Sequence, residues 1–195
     1  MSDTSGEREK DPRVEFEAIT EPTELPRTRF SEALDGFVQR VGNLASWVWV
    51  LLVAVIVVNV TMRYAFGRGY IAFEEAQWHL YSVGWMVGLA YCVQNDNHIR
   101  IDILHEGFRP RTKAWIDFLG ILLFLIPYVA IVLIYSPNFI QYSFSTGEIS
   151  DAPGGLPFRW AIKSLMFFSF LLLLVAALAR LARAWAGVRA YRRVE

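Results

Sequence analysis

Cysteine and histidine are scarce in this chain of 195 residues, and their scarcity excludes several kinds of site. With Cys92 as its single cysteine, the chain cannot form an internal disulfide, a cysteine-based metal cluster or the thiol pair of a membrane dithiol oxidoreductase. Of the three histidines, only His79 lies well within an apolar segment. A haem bound between two histidines inside a membrane would need a second one. We therefore expect neither a metal nor a cofactor in this chain.

Sequence patterns typical of catalysis are missing as well. The chain has no glycine-rich loop of the kind that binds phosphate, and no nucleophile beside an identifiable base. The connections between its apolar segments are too short for a catalytic domain. The formal net charge is zero, which indicates no particular partner, and we predict no nucleic-acid partner. We expect a protein that is not an enzyme.

Apolar residues are abundant, and they fall into four blocks that are each long enough to cross a bilayer. A helix rises about 1.5 Å per residue, so about 20 apolar residues span a hydrocarbon core of about 30 Å. Helix is expected because hydrocarbon offers no partner for unpaired backbone groups, and the blocks lack the alternation of barrel strands. The sequence predicts an all-α membrane protein with four transmembrane helices, over residues 43–62, 73–93, 114–136 and 160–181.

The segments outside the spans differ in character. Residues 1–29 are polar and predict a disordered cytoplasmic segment without a signal peptide, ahead of a membrane domain over 30–185 and a basic cytoplasmic tail over 186–195. Phe30–Val41 carries an apolar stripe, which indicates either a short interfacial helix before the first span or a solvated helix packed on the protein. A second short interfacial helix is expected within Asn95–Lys113, which also mixes apolar and charged residues.

Proline and glycine indicate where the third span bends and ends. Pro127 removes a backbone donor and is expected to kink this span. Beyond the span, Pro137–Arg159 is the longest connection between spans and is rich in glycine and proline. It predicts an ordered loop rather than a helix or strand.

The placement of lysine and arginine predicts the orientation of the chain. Fifteen of these residues fall on one side of the four predicted spans and four on the other. Since basic residues accumulate on the cytoplasmic side, both termini should be cytoplasmic. The connections Tyr64–Tyr70 and Pro137–Arg159 should then lie on the outer side.

The second predicted span is the most polar, and its ionisable residues are the first candidates for function. Glu74, Glu75 and His79 lie at its start, and Ser82 shares a helical face with Glu75 and His79. An ionisable residue inside a membrane is a candidate for a functional role such as a proton relay. These carboxylates, however, occupy the first turn near the outer interface, where they complement the positive helix end and reach water. We favour a role in anchoring the helix or in pairing with a neighbouring subunit.

Lys163 and two glycines add weaker indications. Lys163 lies about one turn into the fourth span, where its ammonium group is expected to reach the interface. A pair between Lys163 and Glu74 or Glu75 is a further hypothesis, because all three are predicted at the same depth. Gly84 and Gly88 are spaced as in Gly-x-x-x-Gly, which permits close approach of two membrane helices and favours packing over transport chemistry.

Two stretches of the sequence carry a family pattern. The first is the second span, from its glutamates through Gly-Trp-Met-Val-Gly-Leu-Ala-Tyr to the exit His-Ile-Arg-Ile-Asp. The second combines Glu-Ile-Ser with Pro-Gly-Gly-Leu-Pro in the third connection. Together they resemble the small membrane subunit of tripartite ATP-independent periplasmic (TRAP) transporters, the DctQ-like family, in its mannitol and chloroaromatic branch. Where many members carry an arginine before the exit histidine, this chain has Gln94 and Asn95. The residues that match the family pattern are His98, Arg100, Asp102, Ser145, Glu148, Ser150, Gly154, Gly155, Pro157 and Arg159.

The resemblance implies a small permease subunit of the bacterial inner membrane. In such transporters, a periplasmic binding protein (DctP-like) delivers an organic acid or related solute to a large membrane subunit (DctM-like). The large subunit carries the solute and Na⁺, and the small subunit packs beside it as a scaffold. The outer connections would touch the docked binding protein. Contact with a partner subunit is predicted for Glu74, Glu75, His79, Ser82, Gly84, Gly88 and Lys163.

Two other functions compete with this interpretation. A homo-oligomeric channel or carrier would need a polar face along at least one helix through the whole bilayer. The first, third and fourth spans lack such a face at their centres, where Asn59 and Pro127 are isolated. A membrane-bound enzyme is the third possibility, and the missing catalytic pattern counts against it.

Overall fold

The computed structural model describes Leu25 and residues 28–95, 108 and 110–191, and the regular structure in these ranges is entirely helical. The predicted all-α class is confirmed. The predicted disordered segment lies almost wholly outside the described residues, and so does most of the second predicted interfacial helix. The elements are α1 (Arg29–Phe66), α2 (Ile71–Gln94), α3 (Pro110–Gly120), a π-helical turn (Ile121–Leu125), α4 (Ile126–Ser145) and α5 (Arg159–Tyr191).

Three helical segments are long and apolar enough to cross a membrane, namely Arg29–Phe66, Arg111–Ser145 and Arg159–Ala190. They correspond to the first, third and fourth predicted spans, as expected of a multi-pass membrane protein. α2 coincides with the second predicted span, and its 24 residues would rise about 36 Å, but it is not among these three segments. The four-span count and the cytoplasmic location of both termini stay predictions.

α1 is a single helix of 38 residues, so the segment predicted as a short interfacial helix is its first part. The helix starts with a capping box, in which Ser31 N–H donates to Thr28 Oγ1 over 3.2 Å and Thr28 N–H donates to Ser31 Oγ over 3.1 Å. Val38, in the apolar stripe, is fully buried in the core of the bundle. One side of the stripe therefore packs on the protein, while Phe30 and Phe37 are more than half exposed, and this segment is continuous with the rest of α1. Gly67, at φ 64°, ends α1 in the left-handed conformation.

The π-helical turn ends two residues before Pro127 and joins α3 to α4 without a break in the helix. Ile126 N–H donates to Ile121 O, five residues back rather than four. Such a wide turn is one way in which a helix accommodates a residue without a backbone donor. The kink expected at Pro127 stays a prediction, and the irregularity that the structure shows is this wide turn.

α4 continues through Pro137 and ends at Ser145, so the prediction of a loop from Pro137 onwards is wrong. Val129, Ser136 and Ser143 follow one another at seven-residue intervals and are all buried. This buried face keeps the segment helical beyond the proline. The connection itself comprises residues 146–158, and we call it the α4–α5 loop.

α5 is the central helix, since it packs against each of the other helices in the described chain. Its alanines at 176, 177 and 179 are fully buried, and such small side chains permit close helix approach. Because lipid tails are as apolar as leucine, packing contacts of this kind hold membrane helices together. α5 extends to Tyr191, so the predicted tail begins within it. The core residues are Val38, Val87, Ala90, Val93, Val129, Phe170, Leu172, Leu173 and Ala176.

Cysteine labelling tests the orientation. In a background with Cys92→Ser, Asp151→Cys on the α4–α5 loop and Gly69→Cys on the α1–α2 connection should both react with a membrane-impermeant maleimide in intact spheroplasts. Ala190→Cys should react only after lysis, because the basic end of α5 is predicted to be cytoplasmic. The reverse pattern would contradict the predicted orientation, and labelling of Gly69→Cys and Asp151→Cys from different sides would contradict the four-span arrangement.

Candidate functional site

The carboxylate of Glu75, in the first turns of α2, binds the α4–α5 loop at two points. Its Oε1 accepts a hydrogen bond from the Ser150 hydroxyl, and its Oε2 accepts one from Leu156 N–H over 2.5 Å. The same two loop residues are also linked directly, because Ser150 N–H donates to Leu156 O over 3.3 Å. One side chain from α2 therefore fixes both arms of the loop.

Glu148 joins the other side of the loop to α5. Its carboxylate accepts a hydrogen bond from Lys163 and lies 3.9 Å from Arg159 Nη1. The Lys163 ammonium, and after it the Ser143 hydroxyl, hold the pKa of the Glu148 carboxyl below its usual range. Lys163 Nζ also lies 4.1 Å from the centroid of the Phe139 ring, a cation–π contact. We use the name loop clamp for the set Glu75, Glu148, Ser150, Leu156 and Lys163.

The two adjacent glycines of the loop are required for different reasons. Gly154 adopts φ 76°, which a residue with a side chain rarely adopts. A Cβ on Gly155 would lie 2.5 Å from Ser150 Cβ and 2.9 Å from Glu75 Oε1, so only glycine fits beneath the clamp. The Gly-Gly pair thus permits the contacts that close the loop over α2.

Glu74 points to a different partner from Glu75. It pairs with Arg63 across the short connection between α1 and α2, and both side chains are about half exposed. An exposed pair of this kind contributes little to stability. The hypothesis of a pair between Lys163 and Glu74 or Glu75 is wrong, because the α4–α5 loop folds back over the start of α5 and brings Glu148 to Lys163 instead.

The two glycines of Gly-x-x-x-Gly have unlike surroundings. A Cβ on Gly84 would lie 2.7 Å from Trp49 Cζ2 of α1, whereas a Cβ on Gly88 would meet nothing within 4 Å. A groove of about 220 Å³ lies beside Gly88, between α1 and α2, and we call it the α1–α2 groove. Gly84 therefore serves packing within the chain, and Gly88 leaves a surface open. The groove is lined by Gly42, Asn43, Ala45, Ser46, Trp49, Gly84, Val87, Gly88 and Tyr91.

The structure brings some of the predicted residues together and leaves others apart. His79 is partly buried, and the Ser82 hydroxyl donates to Trp78 O in its own helix over 2.8 Å. Ser145 likewise donates to Tyr142 O over 3.0 Å. Contact of these residues with a partner subunit stays a prediction. The predicted residues that meet at or beside the loop clamp are Glu75, Glu148, Ser150, Gly154, Gly155, Arg159 and Lys163. Those outside the described residues are His98, Arg100 and Asp102.

Opposite the loop clamp, two arginines of α5 connect three other helices. Arg180 Nη2 lies 3.1 Å from Asp117 Oδ2 of α3, and Arg180 Nη1 donates to Val93 O at the end of α2 over 3.3 Å. Arg183 Nη1 lies 3.3 Å from Asp35 Oδ2 of α1. We call this set, with the Gln94 carbonyl described next, the arginine network.

The arginine network also satisfies the end of α2. The last carbonyls of a helix have no partner within it, and α2 has no basic residue in its last turn. Arg183 Nη2 donates to Gln94 O over 2.9 Å, and Gln94 Nε2 donates to Asp35 O over 2.9 Å. Sequence reasoning missed this network because it used Arg180 and Arg183 only in the count of basic residues that predicts the orientation of the chain. The available signal was their spacing of three residues, which places both on one face of a helix.

The chemistry of both ends is structural. In the ranges that the structure describes, no group of three or more His, Cys, Asp or Glu residues is placed to bind a metal ion. The clamp carboxylates are engaged by hydroxyl, amide and ammonium groups of the same chain. The arrangement orders a loop and fixes helix ends.

Removing Arg180 should destabilise the bundle strongly. Its side chain is only 7% exposed, so Arg180→Met would leave Asp117 buried without this partner, at a cost of about 3 kcal/mol in the free energy of unfolding. Arg189→Met, on the exposed end of the same helix over Trp185, should cost less than about 1 kcal/mol. Unfolding in mild detergent measures both, and equal effects would contradict a buried network.

Acid should release the loop clamp. Because the pKa of Glu148 is lower in the folded chain, its contribution to stability is complete above the usual carboxyl range of roughly pH 4 to 5 and is lost as the pH falls through the folded pKa. Glu148→Gln should lower the melting temperature at neutral pH and flatten its decline in acid. Asp151→Asn, which alters an exposed carboxylate of the same loop, should change neither. Parallel pH profiles for Glu148→Gln and the natural chain would contradict this assignment.

Comparison with known proteins identifies a family. The family model described as the DctQ component of tripartite ATP-independent periplasmic transporters matches residues 52–187. No match is found among curated proteins or among solved structures. The matched range is more than half of the chain and includes both the loop clamp and most of the arginine network. The family is a transporter component and not an enzyme. A match of this extent, on a helical chain whose charged residues fix loops and helix ends, shows that the protein belongs to the DctQ family, the small membrane subunits of TRAP transporters.

Proposed function

We propose that this small permease subunit is a rigid scaffold for the large, DctM-like membrane subunit, and that its outer connections help to dock a DctP-like periplasmic binding protein. Transport would be ion-coupled uptake of an organic acid or related solute, with Na⁺ bound in the large subunit. The chain would lie in the bacterial inner membrane with both termini in the cytoplasm. The tripartite nature of the family supports both partners.

The observation that carries this proposal is the apolar interior between the two ends of the bundle. The core consists of valine, leucine, alanine and phenylalanine side chains. The buried polar residues between the ends, such as Asn59, Ser136 and Ser169, are single residues on different helices. In the described part of the chain they form no continuous polar path, and an organic anion would need one. Solute and ions would therefore cross in the large subunit.

Both ends of the bundle are fixed, which suits a scaffold. The loop clamp joins α2, the α4–α5 loop and α5, while the arginine network joins α1, α2, α3 and α5. α2 and α5 are thus linked at both ends, and a helix pair linked in this way resists sliding of one helix along the other. Transport by rocking requires one bundle to move against a second bundle that stays in place. The fixed helix ends of this chain suit the stationary role.

The α1–α2 groove is the proposed contact for the large subunit. Of the two glycines predicted to touch a partner, Gly88 is the one at which an added Cβ would meet nothing within 4 Å. Five of the nine residues that line the groove are glycine, alanine or serine, and such small residues allow a neighbouring helix to approach closely. We infer that a helix of the large subunit occupies this groove.

Co-purification tests the proposed function. The chain, tagged at its C-terminus and extracted from its native membranes in a gentle detergent, should recover a large multi-span protein in about equal amount, as mass spectrometry would show. Recovery with copies of itself alone would support a homo-oligomeric channel and contradict the scaffold.

A pair of glycine substitutions tests the groove. Gly88→Leu should reduce recovery of the large subunit without lowering the melting temperature of the isolated chain, because its side chain fills space that this chain leaves open. Gly36→Leu is the matched control, since an added Cβ there also meets nothing within 4 Å but lies outside the groove. Full recovery with Gly88→Leu would place the contact elsewhere.

A further inference from the structure

The α4–α5 loop carries two large apolar side chains that the fold of this chain does not use. Ile149 is 64% exposed and Phe158 is 66% exposed, although both adjoin residues of the loop clamp or its ion pairs. Both lie beyond the end of α4 and before the start of α5, outside the helices that cross the membrane. We call these two residues the outer apolar pair.

The backbone at Phe158 makes the choice of residue unusual. Its φ is 65°, and it is the one non-glycine residue with a positive φ among the residues that the structure describes. Glycine would adopt this conformation without strain, whereas a bulky side chain there is an outlier. The ring is mostly exposed and contributes little packing in return. Neither the backbone conformation nor the core of this chain explains a phenylalanine at this position.

The loop that presents the pair is held in one shape. Gly155 N–H donates to Ala152 O over 2.9 Å, Arg159 N–H donates to Glu148 O over 3.3 Å, and Ala161 N–H donates to Phe158 O over 2.9 Å. These bonds add to the loop clamp on either side. A surface that is already ordered loses little conformational entropy when it binds, which favours affinity. Exposed aromatic residues on such a surface are typical anchors of protein interfaces.

We propose that Ile149 and Phe158 are the apolar anchor for the periplasmic binding protein, a soluble partner with an apolar pocket on its docking face. This inference rests on the proposed function, which places this loop on the side where that protein docks. A lipid surface is the other candidate for covering apolar side chains. Lipid contact, however, needs no rigid glycine-built loop, and Trp160 already provides an aromatic residue at the start of α5. The rigid loop clamp and the strained backbone at Phe158 favour a protein partner with a complementary surface.

Binding measurements on the assembled membrane complex test the anchor. The complex of this chain with its large subunit would be placed in nanodiscs, and the binding protein of the same transporter would be titrated against it. Phe158→Ala should raise Kd about tenfold or more, as truncation of an interface anchor does. Phe158→Gly should do the same. Since glycine favours the backbone conformation and alanine does not, equal losses would assign the effect to the ring.

A matched control and the remaining outcomes keep the inference distinct from the proposed function. Phe168→Ala removes a ring of similar exposure, 63%, from the part of α5 that crosses the membrane, and it should leave Kd unchanged. Unchanged Kd in both Phe158 variants would overturn the anchor while the proposed docking stood. If the natural complex failed to bind the binding protein at all, the docking part of the proposed function would fail, and the anchor with it. Loss of the large subunit from the Phe158 variants would instead assign the ring to assembly and overturn the anchor.

Discussion

The ion pair between Arg180 and Asp117 is the interaction on which the arrangement of the helices depends. Both side chains are largely buried, so each charge would be costly without the other. The pair also fixes the position of Arg180 Nη1 on the Val93 carbonyl and thereby the end of α2 against α5. With α5 oriented in this way, its alanines meet the core, and Lys163 near its start meets Glu148 of the α4–α5 loop at the opposite end. The charged contacts of α5 fix its rotation, so the apolar side chains in the middle of the bundle can pack closely around it in one arrangement.

In this bundle, different residues provide the stability of the fold and the specificity of its helix packing. The middle of the bundle is apolar and could pack in many registers, whereas the charged groups at its two ends permit one. The same arrangement leaves the α1–α2 groove and the outer apolar pair exposed. The charged residues of this membrane protein therefore fix its helix ends and its α4–α5 loop, and the family match assigns the chain to the small membrane subunits of TRAP transporters.

The sequence predicted what depends on composition and local pattern. Three spans followed from apolar length, and the loop around Gly154 and Gly155 followed from its glycine and proline content. What it missed depends on which segments meet in three dimensions. Lys163 could be assigned to Glu74 or Glu75 by depth alone, but its partner Glu148 is placed by the fold of the loop. Arg183 lies beyond the predicted fourth span, and its pairing with Asp35 follows only once α5 is known to continue as a helix against α1 and α2.

The wide turn before Pro127 decides which side of α4 meets α5. Counting seven residues at a time from the buried Ile121 leads to Tyr128, Tyr135 and Tyr142, which are all more than half exposed. Counting eight for the first step, as an additional residue in the turn requires, leads to the buried Val129, Ser136 and Ser143. One extra residue in the helix thus leaves the three tyrosine side chains more than half exposed and turns the smaller Val129, Ser136 and Ser143 into the bundle, although the Tyr128 ring still contacts Phe170 of α5 with 5.9 Å between centroids. A helix without that residue would bury all three tyrosine rings in place of these smaller side chains, and α4 and α5 could not approach as closely as they do.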